Sequence, residues 1–248
     1  MEVHQHSHTP RNKWTHYFWE FFMLFLAVIA GFFVENQREH YIELSREKQF
    51  VRSLFNDIKV DTASLSRIIN ARTAKERAAD SLSYLMNRGF SRDITREIYY
   101  YAVSISRTLP YRFVPNDGTM QQLKNSGALR LIRNRAVVDS IAKYDVSVRN
   151  FLRQGDVEET VIEHYRTGAT KIFDALVFDQ MLDENMNVVR LPAEKPGLQP
   201  FSNRELYEWN YRLFSLKALN KASRRDARVL LRQGNNLLKT LKEAYHFE

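Results

Sequence analysis

Residues 17–34 read YFWEFFMLFLAVIAGFFV, eighteen positions whose single charge is Glu20. As a helix rising 1.5 Å per residue the run is about 27 Å long, close to the roughly 30 Å hydrocarbon core of a bilayer. Bulky apolar side chains occupy its whole circumference, so one buried face in a globule does not account for it, and the reading is a membrane span. Trp14, Tyr17 and Trp19 stand at its N-terminal edge, where amphipathic rings favour the headgroup level, with Arg11 and Lys13 just outside. No small-residue cleavage site closes the apolar run. Phe32, Phe33 and Val34 lead directly into the charged stretch 35–39, as in a retained anchor rather than a signal peptide.

Orientation is less strongly encoded. Arg11 and Lys13 precede the span, and Arg38, Arg46 and Lys48 follow it, so counting cations does not decide. The basic pair abuts the membrane, however, while Glu35 and Glu39 come before most of the positive charge on the far side. A long downstream domain also translocates largely regardless of its own charge. The expected topology is a short tail of residues 1–13 in the cytoplasm, an anchor at 14–35 in the inner membrane, and a domain of residues 36–248 in the periplasm. Such a tail is too short to fold, so any signal has to pass through a partner.

The remainder reads as all-α. Eight Gly and six Pro in 248 residues leave few places for the many turns of a sandwich or barrel. Between Gly31 and Gly89 neither occurs, and Val51, Leu54, Phe55, Ile58, Leu65, Ile68, Ile69, Ala79, Leu82 and Leu85 recur at helical spacing. The anchor helix is therefore expected to continue as a long helix, unbroken or folded back once, with Gly89 as its stop. Further helices are predicted at 93–108 and 119–125, then from an Asn134 N-cap onward with Val138, Ile141, Ala142, Val148 and Leu152 along it, and finally at 203–245. Gly155 and Gly168 interrupt a helical run from Val146 to Phe178 without abolishing it. Residues 111–118 form a loop, and a Pro-rich loop occupies 181–202. The sum is an antiparallel helical bundle, with coiled-coil-like packing, hung on one membrane helix.

Few residues point to chemistry. With no cysteine, disulfides, thiolate metal sites and cysteine nucleophiles are excluded. No Walker loop, GxSxG, HExxH or GxGxxG occurs, and no enzymatic activity or cofactor is expected. His4, His6 and His8 alternate in a tail that lacks the fixed surroundings of a metal site, and Glu159, Glu163 and His164 have no second pair to complete one. Within the span, Glu20, Ala27 and Gly31 share one helical stripe. Small residues let membrane helices approach, and an acid there faces protein or water, so the stripe is a candidate interface for a second copy or a membrane partner. The competing reading lets Glu20 reach the headgroups, and a third makes it a proton carrier in a larger complex. In the last helix Lys217, Lys221, Arg225, Arg228 and Arg232 form a basic face that could meet an anionic surface. No groove-reading motif or aromatic interleaving accompanies it, so a solvated face is the reading and nucleic acid is not an expected partner.

Two stretches carry a resemblance: HYFWEFFMLFLAVIAGFFVENQREH at 16–40 and TMQQLKNSGALRLIRN at 119–134. Together the chain resembles a family of single-pass membrane proteins of unknown function common in Bacteroidetes bacteria, which implies a short tail, one anchor and a helical domain but no reaction. On physical grounds Ser126 and Gly127 end one helix, Gly127 by supplying a positive φ, and let Leu129, Leu131 and Ile132 dock on the bundle. The expected function is that of an interaction or scaffold component of the cell envelope. The alternative is a ligand-binding periplasmic sensor whose 191–200 segment covers a pocket.

Because the chain is free of cysteine, single cysteines report topology cleanly. With the periplasmic orientation, a membrane-impermeant thiol reagent added to intact cells labels a Ser45→Cys variant and leaves Ser7→Cys unlabelled. Labelling confined to Ser7→Cys inverts the topology.

Overall fold

A computed structural model describes residues 13–107, 111–191 and 197–247. The tail histidines, Arg11, Pro110, Pro192 and Pro196 lie outside the described residues. Among those described, the chain is all-α. Its helices are α1 (Lys13–Asn87), α2 (Arg92–Ser106), α3 (Gly118–Asn125), α4 (Arg135–Ala169), α5 (Ala175–Asp179) and α6 (Asn203–Tyr245), with a 3₁₀ turn at Ala128–Leu131. An isolated bridge between Leu182 and Val188 is the nearest approach to a strand among these residues. The backbone divides into two units, Met1–Gln49 and Phe50–Glu248.

The absence of Gly and Pro from residues 32–88 lets α1 run unbroken to Asn87, so the fold-back alternative is set aside. It stops where Gly89 takes a φ of 92°, a left-handed conformation that costs glycine nothing. Gly127, with φ 68°, likewise turns the chain out of α3 into the 3₁₀ segment, which brings Ala128 and Ile132 into the core. α4 opens on Asn134, whose side chain accepts from the Ala136 and Val137 amides, and ends at Ala169, so the run expected to reach Phe178 is broken and its last part is the separate α5, capped by Asp174. α6 has the bounds its sequence pattern implies, fixed by a capping box in which Ser202 and Glu205 satisfy each other's backbone amides.

From Phe50 onward α1, α4 and α6 are the long members of a bundle with two apolar clusters. The first joins Val51, Leu54, Ile58 and Leu65 of α1 to Ile141 and Tyr144 of α4 and to Leu230, Leu237 and Leu241 of α6. The second joins Leu82 of α1 to Ile98 and Tyr99 of α2, Ile162 and Tyr165 of α4, and Trp209 and Leu213 of α6. The order of partners fixes directions: α6 runs antiparallel to both α1 and α4, whereas α1 and α4 run parallel. The bundle is thus antiparallel through α6 and the shorter α2.

Parallel neighbours need a crossover. Here α2 packs in the second cluster, and the irregular segment 111–117 carries the chain back to the first, where Phe113, Met120 and Leu123 are buried. One detail departs from the sequence pattern. The buried face of α4 is Val137, Ile141, Tyr144, Val148 and Phe151, while Ala142 and Leu152 are exposed and Val138 is half-buried. Tyr144 and Phe151 complete the spacing that an aliphatic count alone assigns to the wrong neighbours.

Gly234 is a point where α6 packs closely against α1 and α4. A Cβ there would stand 2.7 Å from the Thr62 methyl and 3.3 Å from Tyr144 Cε2. Gly234→Ala should therefore lower stability by about 1–3 kcal/mol through overpacking, despite alanine's higher helix propensity. Thr62→Ser in the same chain removes the obstructing methyl and should recover at least half of that loss, as read by thermal unfolding of the detergent-solubilised protein.

Candidate functional site

The predicted membrane stripe lies on α1. Spacings of seven and eleven residues put Ala27 and Gly31 within about 20° of Glu20 to either side, and all three are exposed. A Cβ at Gly31 would meet no atom within 4 Å. His16, one turn before Glu20, places its Nε2 at 3.6 Å from the Glu20 carboxylate, a neighbour that sequence reading left out. The surrounding apolar run is uncovered: fourteen large side chains between Tyr17 and Val34 are exposed, among them Phe21, Leu24, Phe32 and Phe33. Among the described residues this is the one helix long and apolar enough to cross a membrane.

Two of the five cations on the basic face of α6 pair with α1. Lys217 Nζ lies 2.6 Å from Asp80, and Lys221 Nζ lies 3.6 Å from Glu76, whose other oxygen is 2.9 Å from Arg224 Nη2. Arg225 pairs with its neighbour Asp226 at 3.0 Å. The Lys217, Lys221 and Arg224 contacts join α6 to α1, while the Arg225 pair lies within α6. Of the five predicted cations, Arg228 and Arg232 have no ion pair among the described residues. Glu159, Glu163 and His164 are exposed.

What the sequence reading missed is a buried polar cluster midway along the bundle. Arg72 of α1 is 3% exposed, and its two terminal nitrogens donate to the two carboxylate oxygens of Glu158 at 2.8 and 2.7 Å. This fork geometry suits guanidinium and carboxylate better than any lysine pair. Arg72 Nη2 also donates to the Tyr111 carbonyl at 3.2 Å. Lys75, one turn on and equally buried, sits 4.0 Å from Glu158, 4.4 Å from the centre of the Tyr111 ring, and donates to the Arg107 carbonyl. Asn220 of α6 donates to the Arg72 carbonyl at 3.0 Å, and Ser223 stands 3.5 Å from Glu158. A signal existed. Arg72 and Lys75 continue the apolar register of Leu65, Ile68 and Ile69, and Glu158 occupies that of Phe151 and Ile162, so these charges sit where α1 and α4 face the core.

The cluster holds two cations against one anion. Burial pushes the Lys75 ammonium down to about 8, opposed by Glu158 and assisted by the repulsion of Arg72 and Arg166. Burial raises the Tyr111 hydroxyl as well. A second buried acid, Asp61, accepts from the Asn116 amide and the Tyr144 hydroxyl, both at 2.8 Å. Burial raises the Asp61 carboxyl, and those two hydrogen bonds partly offset the effect. Beside Arg72, between the 111–115 segment and α4, lies a cavity of about 420 Å³. Phe113, Phe151 and Ile162 contribute its apolar lining, and Arg72, Glu158 and Ser223 its buried polar lining. The described part of the Pro-rich loop is elsewhere: Leu191 and Leu198 belong to the second apolar cluster, and the Gly197 carbonyl accepts from Tyr99.

Compared with protein-family models, with curated proteins and with solved structures, the chain matches none.

Lys75 yields a pH signature with a definite sign. Its folded-state value lies below its ordinary 10.5, so between about pH 8 and 10.5 the unfolded chain holds more protons. Stability therefore rises with pH in that window. Relative to a Lys75→Met variant, the unfolding free energy should climb with a slope approaching about 1.4 kcal/mol per pH unit. Denaturant titrations of both proteins from pH 7 to 10.5 measure it, and parallel curves would assign the lysine no such burial.

Proposed function

We propose that this chain is a single-pass membrane-anchored helical protein acting as an interaction or scaffold component of the cell envelope. Its domain from Phe50 onward faces the periplasm, and its anchor carries the contact with a second copy or a membrane partner along Glu20, Ala27 and Gly31. One observation carries the reading: the exposed apolar circumference of residues 17–34. Each of those large side chains is worth roughly 1.5–3 kcal/mol when removed from water, and nothing else among the described residues covers them. Hydrocarbon is the solvent that such a surface fits. The interface reading draws on Gly31, where the helix backbone is open to close approach, and on the cost of leaving a carboxyl in lipid. Pairing of Lys217 and Lys221 with α1 acids supports a basic face spent on packing the domain rather than on nucleic acid.

The reading has a two-part test. Full-length protein should sediment with membranes, resist high salt and carbonate, and enter solution only with detergent; recovery in the detergent-free supernatant ends the anchor assignment. In membranes, an Ala27→Ile and Gly31→Ile double variant should reduce crosslinking of the anchor, to itself or to a partner, by about fivefold or more at equal expression. Crosslinking at the wild-type level discards the stripe as the contact.

A further inference from the structure

We propose that the cavity between residues 111–115 and α4 is a binding site for a small amphipathic carboxylate, held by its charge at Arg72 and Ser223 and by its apolar body along Phe113 and Phe151. The inference is independent of the membrane reading, since every residue it uses lies in the unit from Phe50 onward.

Donor and acceptor inventories give the charge. Both oxygens of Glu158 are engaged by Arg72, with Ser223 at 3.5 Å and Lys75 at 4.0 Å on the same carboxylate. Arg72 keeps an Nε–H with no hydrogen-bond partner among the described residues, and the Lys75 ammonium has one long hydrogen bond and an aromatic face. The centre formed by Arg72, Lys75 and Glu158 thus has one positive charge in excess and a free Arg72 Nε–H, while the rest of the cavity's charged lining is balanced, Arg112 and Arg153 against Asp156 and Glu159. A buried unpaired donor costs about 1–3 kcal/mol, and an uncompensated buried charge costs more, so a group that brings acceptors and a negative charge relieves both.

The walls give the rest of the ligand. Phe113 and Phe151 meet edge to face with centroids 5.9 Å apart, and Ile162 continues the apolar surface. A phosphate or a sugar would leave that surface wet. The volume of about 420 Å³ lies within the roughly 300–1,000 Å³ range of small-molecule sites. The covering segment is tied at both ends, by Arg72 at Tyr111 and by Asp61 at Asn116, so the cavity is preformed rather than a transient gap.

The probe is 2-naphthoate, with the neutral 2-naphthamide and the cationic 2-naphthylmethylamine as isosteric comparators. Binding is measured by equilibrium dialysis of the full-length protein in detergent against detergent alone. We expect saturable binding of the naphthoate at least tenfold tighter than of either comparator. Gly155 lines the cavity and has open space at its Cβ position, so Gly155→Trp should obstruct the site and lower affinity at least tenfold without unfolding the chain. Arg72→Met, Lys75→Met and Glu158→Met combined remove the three buried charges together, so that none is orphaned, and should abolish the preference for the anion. Equal binding of naphthoate and naphthamide, tighter binding of the amine, no saturable binding of any probe, or wild-type affinity in folded Gly155→Trp would each overturn the assignment.

Discussion

The bundle depends on the parallel arrangement of α1 and α4. Two parallel helices cannot be joined by a tight turn, so the chain must travel back along the bundle before α4 begins. It does so partly as α2 and partly as irregular backbone at residues 111–117, and irregular backbone next to a core needs hydrogen-bond partners that regular structure would have provided. Buried polar side chains of α1 supply them. Arg72 donates to the Tyr111 carbonyl and Asp61 accepts from the Asn116 amide. Both of those charges then require partners of their own, which α4 provides as Glu158 and Tyr144. The polar cluster in the middle of an otherwise apolar bundle is thus the consequence of a topological requirement.

That arrangement also explains why the cluster and the cavity coincide. A crossover segment does not interdigitate with α4 as a third helix would, because it lacks the ridges that fill helical grooves. Space remains on its α4 side, walled by Phe113 and Phe151 and floored by the same Arg72 and Glu158 that hold the segment in place. A scaffold that needed rigidity alone would be better served by apolar residues of similar volume at 72 and 158, since a buried ion pair seldom adds net stability over such a replacement. The charges that tie the crossover segment down thus also line the cavity beside it.

The basic face of α6 illustrates how a sequence pattern can be read correctly and still mislead. Five cations do recur at three- to four-residue spacing, but Lys217 and Lys221, together with Arg224, meet Asp80 and Glu76 of α1, whereas Arg225, Arg228 and Arg232 are exposed. The stripe is a seam at its N-terminal end and a solvated face beyond it. Exposed ion pairs of this kind contribute little each, about 0–1 kcal/mol, and their main effect here is to hold α6 in one register against α1.

Sequence alone determined the elements whose causes are local. An apolar run long enough to span a bilayer, the lack of Gly and Pro up to residue 89, the Asn134 cap, the positive φ at Gly127 and the bounds of α6 all follow from the chemistry of neighbouring residues, and the all-α class follows from them. The choice between a continuous and a folded-back α1 was not local, because a helix without a breaker permits both and packing against α4 and α6 decides. The pairing of Arg72 with Glu158, 86 positions apart, the parallel course of α1 and α4, and the gap beneath residues 111–115 belong to the tertiary structure. Helical periodicity records which face of a helix is buried; which helix that face meets, and in which direction, is fixed only when the faces are brought together.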